Sequence, residues 1–186
     1  MHLRGLTQYC LYAINGVGFG TGQNLLLLKE QFPGIELSGL DIDPKVKAIA
    51  AHKLTKNRLE VPLELYDGAQ FPYSDAQFDT VYSCLVFHQL DAEKKLACLK
   101  EIRRVLKPNG RLVIGDWGKA QNTLMRVAFG LVQLLDGFKT TNDNVKGRMP
   151  EFIRNAGFRN VVISQSITTV VGTFSYFKAI KNIITS

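Results

Sequence analysis

The stretch "AINGVGFGTGQN", residues 13–24, places glycine at every second position, Gly16, Gly18, Gly20 and Gly22, between a short apolar run and the helix-like "NLLLLKEQF". Glycine inside a regular element costs roughly 0.5–1 kcal/mol relative to alanine, so such a cluster marks a tight turn or a place where something approaches the main chain closely. A ligand cradle and a plain turn both satisfy the pattern at this point. Either way, a strand enters the loop and a helix leaves it.

The rest of the chain continues that alternation. Leu11 to Asn15 reads as the first strand, and Asn24 to Phe32 as a helix stopped by Pro33-Gly34. Ile35 to Leu40 alternates as a strand, and Asp43-Pro44 then opens a helix reaching about Thr55, with Asp43 as its N-cap. Leu63 to Tyr66 is a short strand, and Phe78 to Leu85 ("FDTVYSCL") a buried one. Asp91 caps a long amphipathic helix with Leu96, Leu99, Ile102, Val105 and Leu106 on one stripe, stopped by Pro108-Asn109-Gly110; Arg111 to Asp116 is the next strand. Strand and helix in alternation are the pattern of an open, mostly parallel sheet covered by helices on both faces.

At 186 residues and 46% apolar content the chain suits one domain, residues 1–186. No cleavage site follows the apolar residues near Tyr9 to Ile14 and no apolar run is long enough to span a bilayer, so a soluble, cytoplasmic protein is expected. Cys10, Cys84 and Cys98 form no CxxC pair, and no His/Cys/Asp/Glu spacing indicates a metal site. Residues 1–100 carry 10 Lys+Arg against 11 Asp+Glu and residues 101–186 carry 13 against 5, so the net charge of +7 belongs to the second half. That excess fits a solvated basic face, an acidic substrate or transient contact with an anionic membrane surface. It is not concentrated in a basic run interleaved with aromatics, which argues against a nucleic-acid partner.

In open sheets of this kind ligands bind beyond the carboxyl ends of the strands, which here carry Asp41, Asp67, the Ser83-Cys84-Leu85 segment and Asp116. Asp41 lies 19 residues after Gly22 and 23 after Gly18, close to the spacing at which an acid meets a ribose diol. A G-x-G-x-x-G fingerprint fails, because Thr21 or Gln23 stands where its last glycine belongs, and no Walker loop is present. What remains, Gly18-Phe19-Gly20-Thr21-Gly22, suits a nucleoside ligand without a pyrophosphate.

"GVGFGTG", "GLDIDP", "YDGAQFPYSDAQFDTVYSCLVFHQL" and "EIRRVLKPNGRLVIGDW", in this order, resemble the class I S-adenosylmethionine-dependent methyltransferases, especially the ubiquinone and menaquinone biosynthesis group. The tail "FIRNAGFRNVVISQ…GTFSYFKAIK" resembles that group's ending, a helix followed by an antiparallel strand pair. The resemblance implies a Rossmann-like, doubly wound, mostly parallel seven-stranded sheet, with residues 10–116 binding cofactor and 117–186 forming the substrate side. It implies S-adenosylmethionine as cofactor, bound by Gly16, Gly18, Gly20, Thr21 and Gly22 along its methionine part, Asp41 on both ribose hydroxyls, Ile42 on the adenine face, Asp67 and Gly68 at the adenine edge and Cys84 lining the cleft. Asp79, at the opposite strand end, is expected to be structural.

Two departures stand out. The family's acidic residue opening the loop, a common partner of the cofactor's ammonium group, is Gly16 here, which implies either reduced affinity or a backbone carbonyl or water in its place; only about ten residues precede the first strand, which implies either a more open substrate pocket or an incomplete sequence. The activated methyl donor asks the protein mainly to align and to exclude water. His88, after the fourth strand, is the candidate general base, to be weighed against a packing role; His2 and His52 read as incidental. Asp116 and Trp117 are candidate substrate residues, and the amphipathic stretch 117–138 reads as a core helix or as the wall over an apolar acceptor, with 139–147 as a loop. The expected activity is methyl transfer to a small molecule, an apolar one on the strength of that wall. The alternative is a module of the same fold that binds the cofactor with little transfer. The oligomeric state is not legible.

Overall fold

The alternating segments become a single seven-stranded sheet. A computed structural model of the chain describes residues 12–117, 147–169 and 172–182. Its elements are β1 (Ala13–Val17), α1 (Gln23–Gln31), β2 (Glu36–Asp41), α2 (Pro44–Lys56), β3 (Leu63–Leu65), β4 (Phe78–Cys84), a 3₁₀ turn (Phe87–Gln89), α3 (Ala92–Val105), β5 (Leu106–Trp117), α4 (Met149–Asn155), β6 (Phe158–Thr169) and β7 (Gly172–Lys181). The strand order is β3-β2-β1-β4-β5-β7-β6. The first five run parallel, β7 is antiparallel to both β5 and β6, and β1 pairs with β2 on one side and β4 on the other. Strand order therefore reverses at β1, and the crevice between the ends of β1 and β4 is the switch point where this architecture takes ligands.

Most of β6 at the edge is exposed, while each face of the sheet's central strands carries a core. On one, Ile14, Leu37 and Phe19 pack with Leu25 and Leu26 of α1 and Ala50 and Leu54 of α2. On the other, Val17, Leu40, Val81, Leu112 and Ile114 meet Leu99 and Ile102 of α3 and Phe152 and Ile153 of α4. Asp43 caps α2 by accepting the Lys45 N–H at 2.7 Å, and Asp91 caps α3 through the Lys94 N–H at 2.8 Å. Among the described residues no helix is long and apolar enough to cross a membrane.

The expected turn between α3 and β5 is tighter than the sequence indicates. Leu106 already pairs with Phe78, and Arg111 pairs with Thr80, so Lys107 to Gly110 arch out opposite Asp79 alone. Asn109 takes a left-handed φ of 61° at the crest, a conformation asparagine tolerates. Asp79 accepts the Ala13 N–H at 2.9 Å and the Lys107 ammonium at 2.8 Å, joining β1, β4 and this arch at the amino edge, away from the switch point.

A second tie holds the long β3–β4 connection. Arg104 forks onto Glu101 with two bonds of 2.9 and 2.8 Å, reaches Asp75 at 2.7 Å, and donates to the carbonyls of Tyr73 and Phe71. Glu101 in turn accepts the Phe71 N–H at 2.9 Å. The Arg104 bond, assisted by the Phe71 N–H, holds the Glu101 carboxyl below the usual glutamate range. A depressed carboxylate pKa stabilises the fold above the unfolded value of about 4.3, and that contribution is lost as pH falls through the lower folded value. Glu101→Gln is therefore expected to lower stability at pH 7 by about 1–2 kcal/mol and to differ less from wild type as the buffer is acidified below pH 4. Urea melts of both proteins across pH 3–7 check this; an equal gap at every pH contradicts it.

Candidate functional site

β1 ends at Val17, and the chain turns into α1 through three residues with left-handed φ, Gly18 at 71°, Gly20 at 52° and Gly22 at 76°. A side chain is unwelcome there for more than backbone reasons. A Cβ on Gly18 would lie 2.1 Å from Val86 Cγ2 and one on Gly22 2.9 Å from the Ala50 Cβ, whereas one on Gly20 would meet nothing within 4 Å. The loop is thus packed at both ends and bare in the middle. Gly22 is also the N-cap of α1, and among the described residues no side chain caps that helix. Its first N–H groups consequently face the loop, a position that favours an anionic group.

Asp41, the last residue of β2, fixes the bare middle. Its Oδ2 accepts the Gly20 N–H at 2.8 Å, and its Oδ1 accepts the N–H groups of Ile42 at 2.8 Å and Asp43 at 3.2 Å. A carboxylate has about four lone-pair sites, so among the described residues one on Oδ2 is left without a donor. Ile42, immediately beyond, is 59% exposed, an apolar surface left uncovered at the rim. Asp67 follows β3 and curls into a turn, its Oδ1 accepting from Ala69 and Gln70, with Gly68 at φ 89°. Those backbone donors hold the Asp67 carboxyl below its ordinary value. Beside it, Tyr66, Asp67, Gln70, Phe71 and Tyr73 line a hollow of about 490 Å³. Thr21 is exposed, and its hydroxyl meets Lys53 of α2 at 3.4 Å, on the outer side of the loop.

At the ends of β4 and β5 the structure brings together residues that the sequence leaves apart. Asp116 is fully buried and His88 is 6% exposed, and Asp116 Oδ1 lies 2.8 Å from His88 Nδ1. The other carboxylate oxygen accepts the His88 backbone N–H at 3.1 Å, and Oδ1 also accepts the Trp117 N–H at 2.7 Å. With a carboxylate opposite Nδ1, the hydrogen-bond network assigns the ring proton to Nδ1 and leaves Nε2 as the acceptor. Asp116, expected to touch substrate, has both oxygens in hydrogen bonds to protein. Trp117 packs edge-on to Phe174 at 6.0 Å, and Phe174 to Tyr176 at 5.1 Å, an aromatic row across β5 and β7 that the sequence does not announce. Burial pushes the Cys84 thiol up, so it lines the cleft as a neutral group beside Asn24.

Two further features have no sequence signal. Leu85, just past β4, takes φ 58° while 43% exposed, its N–H held by the Gly115 carbonyl at 2.9 Å. Gly16 lies within β1 and not in the loop, paired with Tyr82 on β4. Of the wall expected at 117–138 and the loop expected at 139–147, residues 118–146 lie outside the described residues, as do His2 and Cys10. On the α1 side of the sheet, Asn24, Leu28, Tyr82, Cys84, Gly115 and Tyr176 are among the residues lining a cavity of about 600 Å³.

These residues fit the cofactor the sequence anticipates: bare peptide at Gly20, an acid with a free acceptor site one strand over, exposed Ile42 and a second acid at the end of β3. The fold is that of the class I S-adenosylmethionine-dependent methyltransferases. The family model described as "Methyltransferase domain" matches residues 16–114, and the chain belongs to that family. It is 40% identical over 114 residues to the demethylmenaquinone methyltransferase of Thermus thermophilus, a match covering 61% of this chain and 49% of that one. The chain spans about half the length of the curated relatives it matches. Among solved structures it is similar to the S-adenosylmethionine-dependent methyltransferase SibL in its apo form, with a TM-score of 0.79 at 17% identity over 93% of this chain and 51% of that one. It is also similar to Haemonchus contortus phosphoethanolamine N-methyltransferase 2 in complex with S-adenosyl-L-methionine, with a TM-score of 0.76 at 16% identity over 95% of this chain and 50% of that one.

The loop's two kinds of glycine separate experimentally. Gly18→Ala combines a left-handed backbone cost of about 1–2 kcal/mol with overlap against Val86, while Gly20→Ala carries only the backbone term. Thermal melts should show Gly18→Ala destabilised by at least about 1 kcal/mol more than Gly20→Ala; equal melting temperatures contradict the packing described.

Proposed function

We propose that this chain transfers the methyl group of S-adenosylmethionine, by in-line displacement, to a small apolar acceptor carrying an ionisable hydroxyl. The observation that carries the reading is the meeting of Asp41 with the glycine loop at the switch point. Asp41 would hold the ribose through the open site on Oδ2, and the Asp43 N–H, the longest of its three bonds at 3.2 Å, is the one to give way to a second hydroxyl. Ile42 would cover the adenine face, Asp67 and Gly68 would meet its edge, and Cys84 would close the cleft. The N-terminus of α1 would receive the carboxylate of the amino-acid tail.

The bound cofactor supplies an activated methyl on a positively charged sulfur. The chain's own part is to orient, to exclude water and to move one proton. His88 Nε2 accepts the hydroxyl proton of the acceptor, and Asp116, bonded to Nδ1, holds the ring's tautomer and orientation. Trp117 lies next to that dyad and offers an aromatic surface to the acceptor. The demethylmenaquinone methyltransferase relative makes a quinol-type ring the first acceptor to assay.

Calorimetry with S-adenosylhomocysteine and turnover with a reduced naphthoquinone test this. Asp41→Ala should weaken cofactor binding at least tenfold, since it removes both the sugar acceptor and the loop's anchor. His88→Ala should leave cofactor affinity unchanged and lower kcat by about 10²–10⁴. Unchanged binding by Asp41→Ala removes the cofactor assignment, and wild-type turnover in His88→Ala removes the base.

A further inference from the structure

The Tyr82 hydroxyl is a buried polar group that the reading above does not use. It has no hydrogen-bond partner among the described residues, although leaving a buried hydroxyl unmatched costs stability. Its place is set by strand pairing. Gly16 and Tyr82 are opposite each other across β1 and β4, and in a parallel pair such residues share a face. A Cβ on Gly16 would lie 2.6 Å from the Tyr82 oxygen, so the tyrosine reaches across the neighbouring strand and ends where a side chain of β1 would start. Burial raises the phenol's pKa well above its ordinary value, and the group therefore stays neutral.

Its surroundings are those of the cofactor's tail. Gly16 stands two residues before Gly18, Cys84 lies two residues along β4 toward the carboxyl edge, and Tyr82, Cys84 and Asn24 of α1 line the same cavity. We infer that the Tyr82 hydroxyl is the hydrogen-bond acceptor for the α-ammonium group of the bound cofactor, in the place that Gly16 leaves open. The inference rests on the proposed cofactor site. The α1 N-terminus above it suits the carboxylate of the same amino-acid tail, and that leaves the ammonium to an uncharged oxygen. Reaching that covered oxygen requires a local shift of the loop, and the bare peptide at Gly20 is where the loop has room to move. A hydroxyl unsatisfied in the empty chain and satisfied in the complex adds to affinity at the expense of the empty chain's stability.

Tyr82→Phe removes one oxygen and keeps the ring. Calorimetry of wild type and this variant with S-adenosylhomocysteine, which carries the amino-acid tail, and with methylthioadenosine, which lacks it, provides the test. The variant should bind S-adenosylhomocysteine about tenfold more weakly, bind methylthioadenosine as wild type does, and melt at the same or a higher temperature when empty. Equal affinity of the two proteins for S-adenosylhomocysteine overturns the inference and leaves the cofactor site standing. So does an equal loss for both ligands, because the effect then does not belong to the tail. A wild-type chain that binds neither ligand removes the cofactor site, and this role with it.

Discussion

The bond from the Gly20 N–H to the Asp41 carboxylate is the interaction on which the site depends. β1 and β2 are neighbours, and the loop leaving one is tied to the acid ending the other. The tie holds the part of the loop where a side chain would meet open space, while Gly18 and Gly22 stand against Val86 and Ala50. The same carboxylate faces the crevice at the sheet's switch point. On the proposed reading, shaping the loop and receiving the sugar are two tasks of one side chain.

Across β1 the opposite side of the crevice is built on different physics. His88 and Asp116 are both buried, a costly placement for ionisable groups unless they satisfy each other. They do so completely on the Asp116 side, with three bonds to His88 and Trp117. The arrangement fixes the 3₁₀ turn to the end of β5. Leu85, three residues before His88, takes a left-handed backbone, a strained conformation for a residue other than glycine.

Much of this was legible because it is local. A glycine cluster between strand and helix, an acid about 20 residues on, and Asp before a helical run are short-range patterns with short-range causes, and Gly18, Gly20, Gly22, Asp41, Asp43 and Asp91 stand where those patterns put them. Element boundaries moved by one or two residues, except at β5, where an arch opposite Asp79 extends pairing back to Leu106. What the sequence hid is pairing between strands. His88 and Asp116 are 28 positions apart and become partners only once β4 lies beside β5. Gly16 reads as a lost acid until β4 brings Tyr82 over it. Arg104, one basic residue among many in the second half, shows its use only when the β3–β4 connection folds onto α3.

The most direct measurement is a crystal structure of the chain with S-adenosylhomocysteine. A ribose hydroxyl is expected within hydrogen-bond distance of Asp41 Oδ2, with the adenine against Ile42 and the amino-acid tail along Gly18 to Gly22. A ligand bound elsewhere on the sheet, or an Asp41 carboxylate turned to solvent with the sugar held by other residues, contradicts it.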